Sequence, residues 1–398
     1  MILTKRANHP SVPASWRWLR HPAAFLLLLT LALTATASGG ADSATPDTER
    51  PRATPPAPTR QPQAVYSIEV GVDGEVYPVF ANYAALQPPQ ERTWSTVAVK
   101  ISNSSGATLR NRVSVQIRGW SDEEIQIAEM SAGETRTYLF APSFLPRFYR
   151  NRDLTAATAV VTATDMSGHV VYSGTAPVRL RAVDDILWGD GFKNSRFIAS
   201  WVTPHDPRVE DVLSKAKEFM PGRRLPGYEN WKSPAQQAES TRAQARAIYR
   251  ALQKKGVSYV KSSITFGRHT ATSERVRMPW ESLRQVSANC IDGAVMYASL
   301  FENLGMDPVV ILVPGHAYVG VRTSEEGRDF LYLDAAVIGR ASFETSVDTA
   351  EQGMARLKPA QITRIAISEA RSAGIFPMPG FDSAAATPGG ATAATRLR

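Results

Sequence analysis

The chain has 398 residues, a formal charge of +8 and a single cysteine. Lys5, Arg6, Arg17 and Arg20 lie in an acid-free opening segment, and without them the charge falls to +4, too small an excess to argue for a nucleic-acid partner. One cysteine excludes an intramolecular disulfide, and with scattered histidines it offers no metal-ligand spacing, so neither metal nor other cofactor is expected.

Residues 1–37 combine that basic start with an apolar run from Ala23 to Ala37 and a small-residue ending, Ala35-Thr36-Ala37, the pattern of a signal peptide. The apolar run is shorter than the roughly 20 residues that span a bilayer as a helix. Cleavage and export to the periplasm or cell envelope are therefore expected; membrane contact follows only if the segment is retained as an anchor. Residues 38–64, as in Ala53-Thr54-Pro55-Pro56-Ala57-Pro58-Thr59, are too poor in apolar side chains to fold and read as a disordered Pro/Ala/Thr linker. Residues 378–398 read as a tail of the same kind.

Residues 65–182 are strand-patterned. Val97, Val99 and Ile101 alternate with Ala98 and Lys100; Val113, Val115 and Ile117 alternate with Ser114 and Gln116; Ile125 and Ile127 flank Gln126; another run covers Thr158 to Thr164. Turns at Asn103-Ser104-Ser105-Gly106, Ser131-Ala132-Gly133 and Asp165-Met166-Ser167-Gly168 give the spacing of an Ig-like β-sandwich. No clustered acids suggest catalysis there. The segment reads as a structural module or one that binds an envelope partner.

Over residues 183–377 the period becomes helical. Asp206-Pro207 caps a helix with Val209, Val212, Leu213 and Ala216 on one stripe, and Ser233-Pro234 starts another that stops at Gly256. A strand over Tyr259–Phe266, a helix over Cys290–Leu304 ending at Gly305, and strands at Val309–Val313, His316–Val321 and Phe330–Asp334 follow. A helix near Glu344–Leu357 and a strand near Ile362–Ile367 complete an α+β domain.

The chemistry concentrates in three residues. At the first turn of its helix the Cys290 sulfur sits beside unpaired backbone N–H groups at the positive end of the helix dipole, and both favour thiolate over thiol. Ile291, Ala294, Val295, Ala298, Phe301 and Leu304 give that helix a broad apolar face, so it is expected to be buried and rigid. Asp292, also in the first turn, is expected to complement the dipole or bond the backbone rather than to catalyse.

His316 and Asp334 bracket a hairpin. If it is symmetric about Glu325, His316 lies directly opposite Asp334 and the two share a face with Tyr318, Phe330 and Tyr332. Ala317, Val319, Leu331 and Leu333 form the apolar opposite face. A carboxylate that orients an imidazole, which then serves a thiol as base, is the logic of a cysteine triad. The remaining histidines, His9, His21, His169, His205 and His269, have no such partner in the pattern and read as structural.

Asn289-Cys290-Ile291-Asp292, Leu304-Gly305-Met306, Pro314-Gly315-His316-Ala317-Tyr318-Val319 and Leu333-Asp334 together resemble the bacterial transglutaminase-like domain family, of the papain-like superfamily, over roughly Trp188 to Pro377. The resemblance implies a β-sandwich followed by a transglutaminase-like α+β domain. It implies Cys290 as nucleophile, His316 as general base and acid, and Asp334 as orienting carboxylate. It further implies an oxyanion held by the Cys290 backbone N–H and one upstream donor, for which Gln285 is the candidate and Trp280 and Asn289 are rivals. Two positions depart from the family pattern: Ala288 stands where glycine is frequent, and Tyr318 where tryptophan commonly follows His-Ala. The implied activity is that of an exported cysteine amidase or peptidase, or an acyl transferase, acting on protein or peptide amides through a thioester. The competing reading is a non-catalytic envelope-binding scaffold that retains the fold.

Overall fold

The computed structural model describes residues 64–379 except 230, 232 and 262–271. The expected signal segment, nearly all of the linker, the tail from residue 380 and residues 262–266 of the strand expected over Tyr259–Phe266 lie outside the described residues. Those described form an α+β protein.

The first part alternates as its sequence does. Strands β1 (Ala64–Val70), β2 (Glu75–Val76), β3 (Val97–Asn103), β4 (Leu109–Ile117), β5 (Glu124–Met130), β6 (Thr135–Phe140), β7 (Thr155–Asp165) and β8 (Val170–Leu180) form two sheets, ordered β1-β3-β6 and β2-β8-β7-β4-β5. Val97, Val99, Ile101, Val113, Val115, Ile117, Ala159, Val161 and Ala163 are buried in one shared apolar cluster, as period-2 burial requires. At the start of β5 a polar residue takes an inner position: Gln126 pairs with buried Val113, while Ile125 and Ile127 pair with Ser114 and Arg112 and are exposed. The inward Gln126 is satisfied by donating to the Leu139 carbonyl at 2.8 Å.

A helix interrupts this pattern. In α1 (Pro78–Ala85) proline supplies the first turn. The cap residue Tyr77, with Val79, Phe80 and Tyr83, packs into the larger, helix-rich core. The two parts are also tied covalently close: β8 ends at Leu180, the fully buried Arg181 pairs with Glu75 (3.4 Å) and Asp185 (3.0 Å), and β9 (Asp185–Leu187) follows at once.

Helices α2 (Pro207–Ala216) and α3 (Pro234–Lys255) begin as their caps dictate. Asp206 accepts from the Arg208 N–H, Ser233 from that of Gln236, and Gly256 ends α3 at φ 90°. Then come β10 (Ser258–Tyr259), β11 (Ser273–Arg275, paired with β9), α4 (Pro279–Gln285), β12 (Ser287–Ala288) and α5 (Cys290–Asn303). Strands β13 (Pro308–Val313), β14 (His316–Arg322) and β15 (Phe330–Leu333), helix α6 (Phe343–Ala355), β16 (Thr363–Ala366) and α7 (Ile367–Ser372) complete the order.

The last sheet runs β15-β14-β13-β16. Ala317, Val319, Val321, Leu331 and Leu333 face the core that holds α5, while Tyr318, Val309, Ile311 and Val313 cluster with Ala350 and Met354 of α6 on the other face. The expected faces are therefore those found. No helix among the described residues is long and apolar enough to cross a membrane.

Candidate active site

The site begins at a helix cap. Asn289 is the N-cap of α5, and its side chain accepts from the Asp292 N–H at 2.7 Å while Asp292 accepts from the Asn289 N–H at 3.1 Å, a reciprocal capping box. The other Asp292 oxygen accepts from the Arg277 N–H at 2.8 Å. Asp292 thus bonds the backbone, and this fully buried carboxylate pins the chain on either side of α4 to the start of α5. Burial raises its carboxyl to about 6, against the opposing pull of the Arg277 and Asn289 N–H bonds and the Arg277 charge.

Cys290 is the first residue of α5 and is partly exposed. No described residue accepts a hydrogen bond from its backbone N–H. That N–H is one of the orphan donors of a helix start.

The hairpin places the second and third residues, with a register different from the one expected. Val319 pairs with Leu333 and Gly320 with Tyr332, so the hairpin is symmetric about Glu326 and His316 is not directly opposite Asp334. The turn decides this: Thr323 N–H closes on the Asp329 carbonyl at 2.8 Å, Gly327 N–H on Ser324 at 3.1 Å, and Arg322 Nη1 reaches the Gly327 carbonyl at 2.8 Å. Asp334 moves by two positions along the ladder, to the diagonal of His316, and an even step leaves every side chain on its face. The diagonal is still within reach. His316 Nε2 lies 3.1 Å from Asp334 Oδ1.

Asp334 is itself held. Its Oδ1 accepts from the Ala336 N–H at 2.9 Å, capping the 3-10 turn Ala335–Val337, its N–H donates to the Ser346 carbonyl at 3.1 Å, and the Ser346 hydroxyl donates to its carbonyl at 2.9 Å. Nothing in the sequence pattern singles out Ser346.

His316 Nε2 faces Asp334, and Cys290 is near enough to the ring to act on its protonation. Burial, the largest single influence, pushes the His316 pKa down, but hydrogen bonds to Asp334 and Cys290 and their negative charges outweigh it and hold it at about 9. The ring of Tyr318 meets that of His316 edge-on at 4.6 Å. His316 and Asp334 are thus joined directly, with Cys290 in their neighbourhood.

The proposed upstream donors fare differently. Gln285 is exposed and its amide donates to Glu281 Oε1 at 3.2 Å, one turn back on α4, so it is turned away from that role. Trp280 is stacked by the guanidinium groups of Arg152, Arg208 and Arg284, at 5.4, 5.7 and 5.0 Å from the ring centre. Asn289 uses its side-chain oxygen on the cap. Tyr259, a strand residue as expected and one of the signals of the resemblance, pairs with Ala288 in the parallel β10–β12 ladder, beside the segment that leads into Cys290. Its position depends on that pairing, which periodicity does not reveal.

No family model matches this chain, and no curated protein is similar to it. One solved structure that matches is the crystal structure of a FixG-related protein from Vibrio parahaemolyticus, 12% identical over 30% of this chain and 96% of that one, with a TM-score of 0.18. A superposition that poor carries no argument about fold or function.

Proposed function

We propose that this chain is an exported cysteine-dependent enzyme that opens amide bonds through a thioester, built as a β-sandwich followed by a transglutaminase-like domain. The observation that supports the reading is the His316 Nε2–Asp334 Oδ1 bond (3.1 Å), with Cys290 at the first position of a buried helix and acting on the His316 ring. In the reaction the Cys290 sulfur attacks the substrate carbonyl carbon and the C=O π pair moves onto oxygen. Collapse re-forms the carbonyl and breaks the C–N bond, and His316 protonates the departing amine. Water, deprotonated by His316, then hydrolyses the thioester; a primary amine in its place gives transfer instead. Of the two outcomes, hydrolysis is the one favoured here.

Alkylation by iodoacetamide tests the activated thiol. Native Cys290 is expected to react faster at about pH 6 than a free cysteine peptide, and His316→Ala to remove the excess. Equal rates in all three would leave the envelope-scaffold reading standing. Mass spectrometry of a peptide amide library incubated with and without added primary amine then separates hydrolase from transferase.

A further inference from the structure

One arginine holds the chain on both sides of Cys290. Val276, the residue before it, is fully buried; its N–H donates to the Asp184 carbonyl at 2.8 Å and its carbonyl accepts from the Trp201 indole at 2.8 Å. Arg277 therefore starts from a fixed point of the core. Its backbone N–H donates to Asp292 Oδ1 at 2.8 Å, two residues after the cysteine. Its side chain reaches the other flank: Nη1 donates to the Ser287 carbonyl at 3.4 Å and the Ser287 hydroxyl at 3.3 Å, three residues before the cysteine, and lies 3.8 Å from Asp292 Oδ2.

The connection gripped in this way carries strain. Val286, which ends α4, sits at φ 47°, a left-handed conformation that a β-branched residue keeps only when its surroundings impose it. Ser258 N–H bonds the Val286 carbonyl at 3.1 Å, and the next residue is the Ser287 that Arg277 holds. The guanidinium also supplies a cation to the fully buried Asp292, whose charge alone in the interior would be costly.

We infer that Arg277 is a positioning residue of this site: its guanidinium spans the segment from Ser287 to Asp292 and so fixes where the Cys290 sulfur stands at the start of α5. This rests on the amide-opening reading above. Arg277 takes no part in bond making; it acts through the segment that it holds. Contacts of 3.3 and 3.4 Å are at the long end for an N–H···O bond. Their loss is therefore expected to displace the segment rather than to unfold the chain.

The pH profile of iodoacetamide alkylation tests this, and substitution of the side chain leaves the backbone bond to Asp292 in place. In full-length protein Arg277→Gln is expected to slow alkylation about tenfold at about pH 6, the upper scale of the helix-dipole interaction that a displaced sulfur forfeits. At about pH 10, where a cysteine thiol ionises without help, the loss is expected to shrink to about twofold or less. Arg277→Lys, which keeps the charge and a donor, is expected to recover about half of the loss. Glu302→Gln is the control: it breaks the pair with Arg371 (2.9 Å) on the last turn of α5, and is expected to lower Tm with alkylation unchanged at both pH values. Alkylation of Arg277→Gln at the wild-type rate, while His316→Ala is slow, overturns the role of Arg277 and leaves the thiol reading intact. Equal slowing at both pH values, no recovery with lysine, or equal slowing in Glu302→Gln also overturns it, since general loosening then accounts for the loss. If neither Arg277 variant folds, Arg277 supports the whole fold and the inference fails. Wild-type protein that alkylates no faster than a cysteine peptide at about pH 6 overturns the amide-opening reading and this inference with it.

Discussion

Gly293, one turn into α5, and Ala335, the residue after Asp334, touch so closely that a Cβ on the glycine would lie 2.5 Å from the Ala335 Cβ. This contact fixes the distance between the helix that carries the thiol and the strand end that carries the carboxylate. Gly293→Ala must push one from the other, at about 1–3 kcal/mol for an overpacked interior. We expect a lower Tm and slower iodoacetamide alkylation together; a variant that melts like the wild type and alkylates at its rate would show that the contact does not set the geometry.

The His316 proton makes stability depend on pH in a set direction. Folding raises its pKa from 6.5 to about 9, so the folded chain binds more proton than the unfolded one between those values. The contribution is complete below pH 6.5 and is lost as pH rises through about 9; at roughly 1.4 kcal/mol per pH unit it is on the order of 3 kcal/mol. Urea unfolding across that window should show the advantage of wild type over His316→Ala shrinking with rising pH. A constant difference contradicts the assignment.

Asp292 should behave with the same sign at lower pH. Its carboxyl is raised from 3.8 to about 6, so its ionisation opposes folding: the contribution is complete below 3.8 and is lost as pH rises through 6. Asp292→Ala loses the capping box, at about 1–2 kcal/mol, and releases the start of α5 from Arg277. The stability gap between the two proteins is expected to widen on acidification, and alkylation of Cys290 to slow. A gap that narrows toward acid pH contradicts the burial of this carboxylate.

Gln285→Ala is a control with a definite outcome. The exposed amide is engaged with Glu281, so stability is expected to change by no more than about 0.5 kcal/mol and p-nitrophenyl acetate acylation to stay at the wild-type rate. A loss of acylation of about 10²-fold, the scale of a lost oxyanion donor, would restore Gln285 as the donor.

What could be read beforehand was local. Asp206, Ser233 and Gly256 announce helix ends through their own backbone preferences, and the alternation over 316–333 sorts the hairpin into its two faces before any partner is known. The centre of the hairpin was not legible, since the Thr323–Asp329 closure and the Arg322 bond to Gly327 decide it. The same applies to α1, a helix within the span 65–182 that reads as strand-patterned, which packs into a distant core. At the site, the first-turn cysteine and its cap follow from sequence. The support of Ser346 for Asp334 and the place of Tyr259 arise from contacts between segments far apart in the chain, and nothing in their immediate neighbours encodes them.

The borrowed helix α1 also limits how the protein can be divided for experiment. Tyr77, Val79, Phe80 and Tyr83 fill the core that supports the elements carrying Cys290, His316 and Asp334, although they precede it by a hundred residues or more of sheet, and Phe80 meets Phe197 edge-on at 5.0 Å. At about 1.5–3 kcal/mol for each buried apolar side chain, their loss is comparable with the entire folding stability of an ordinary domain, about 5–15 kcal/mol. A truncated fragment starting at Val183 would carry the thiol, the imidazole and the carboxylate, yet expose an apolar seat with no occupant. Recombinant work on the site therefore has to begin upstream of β1.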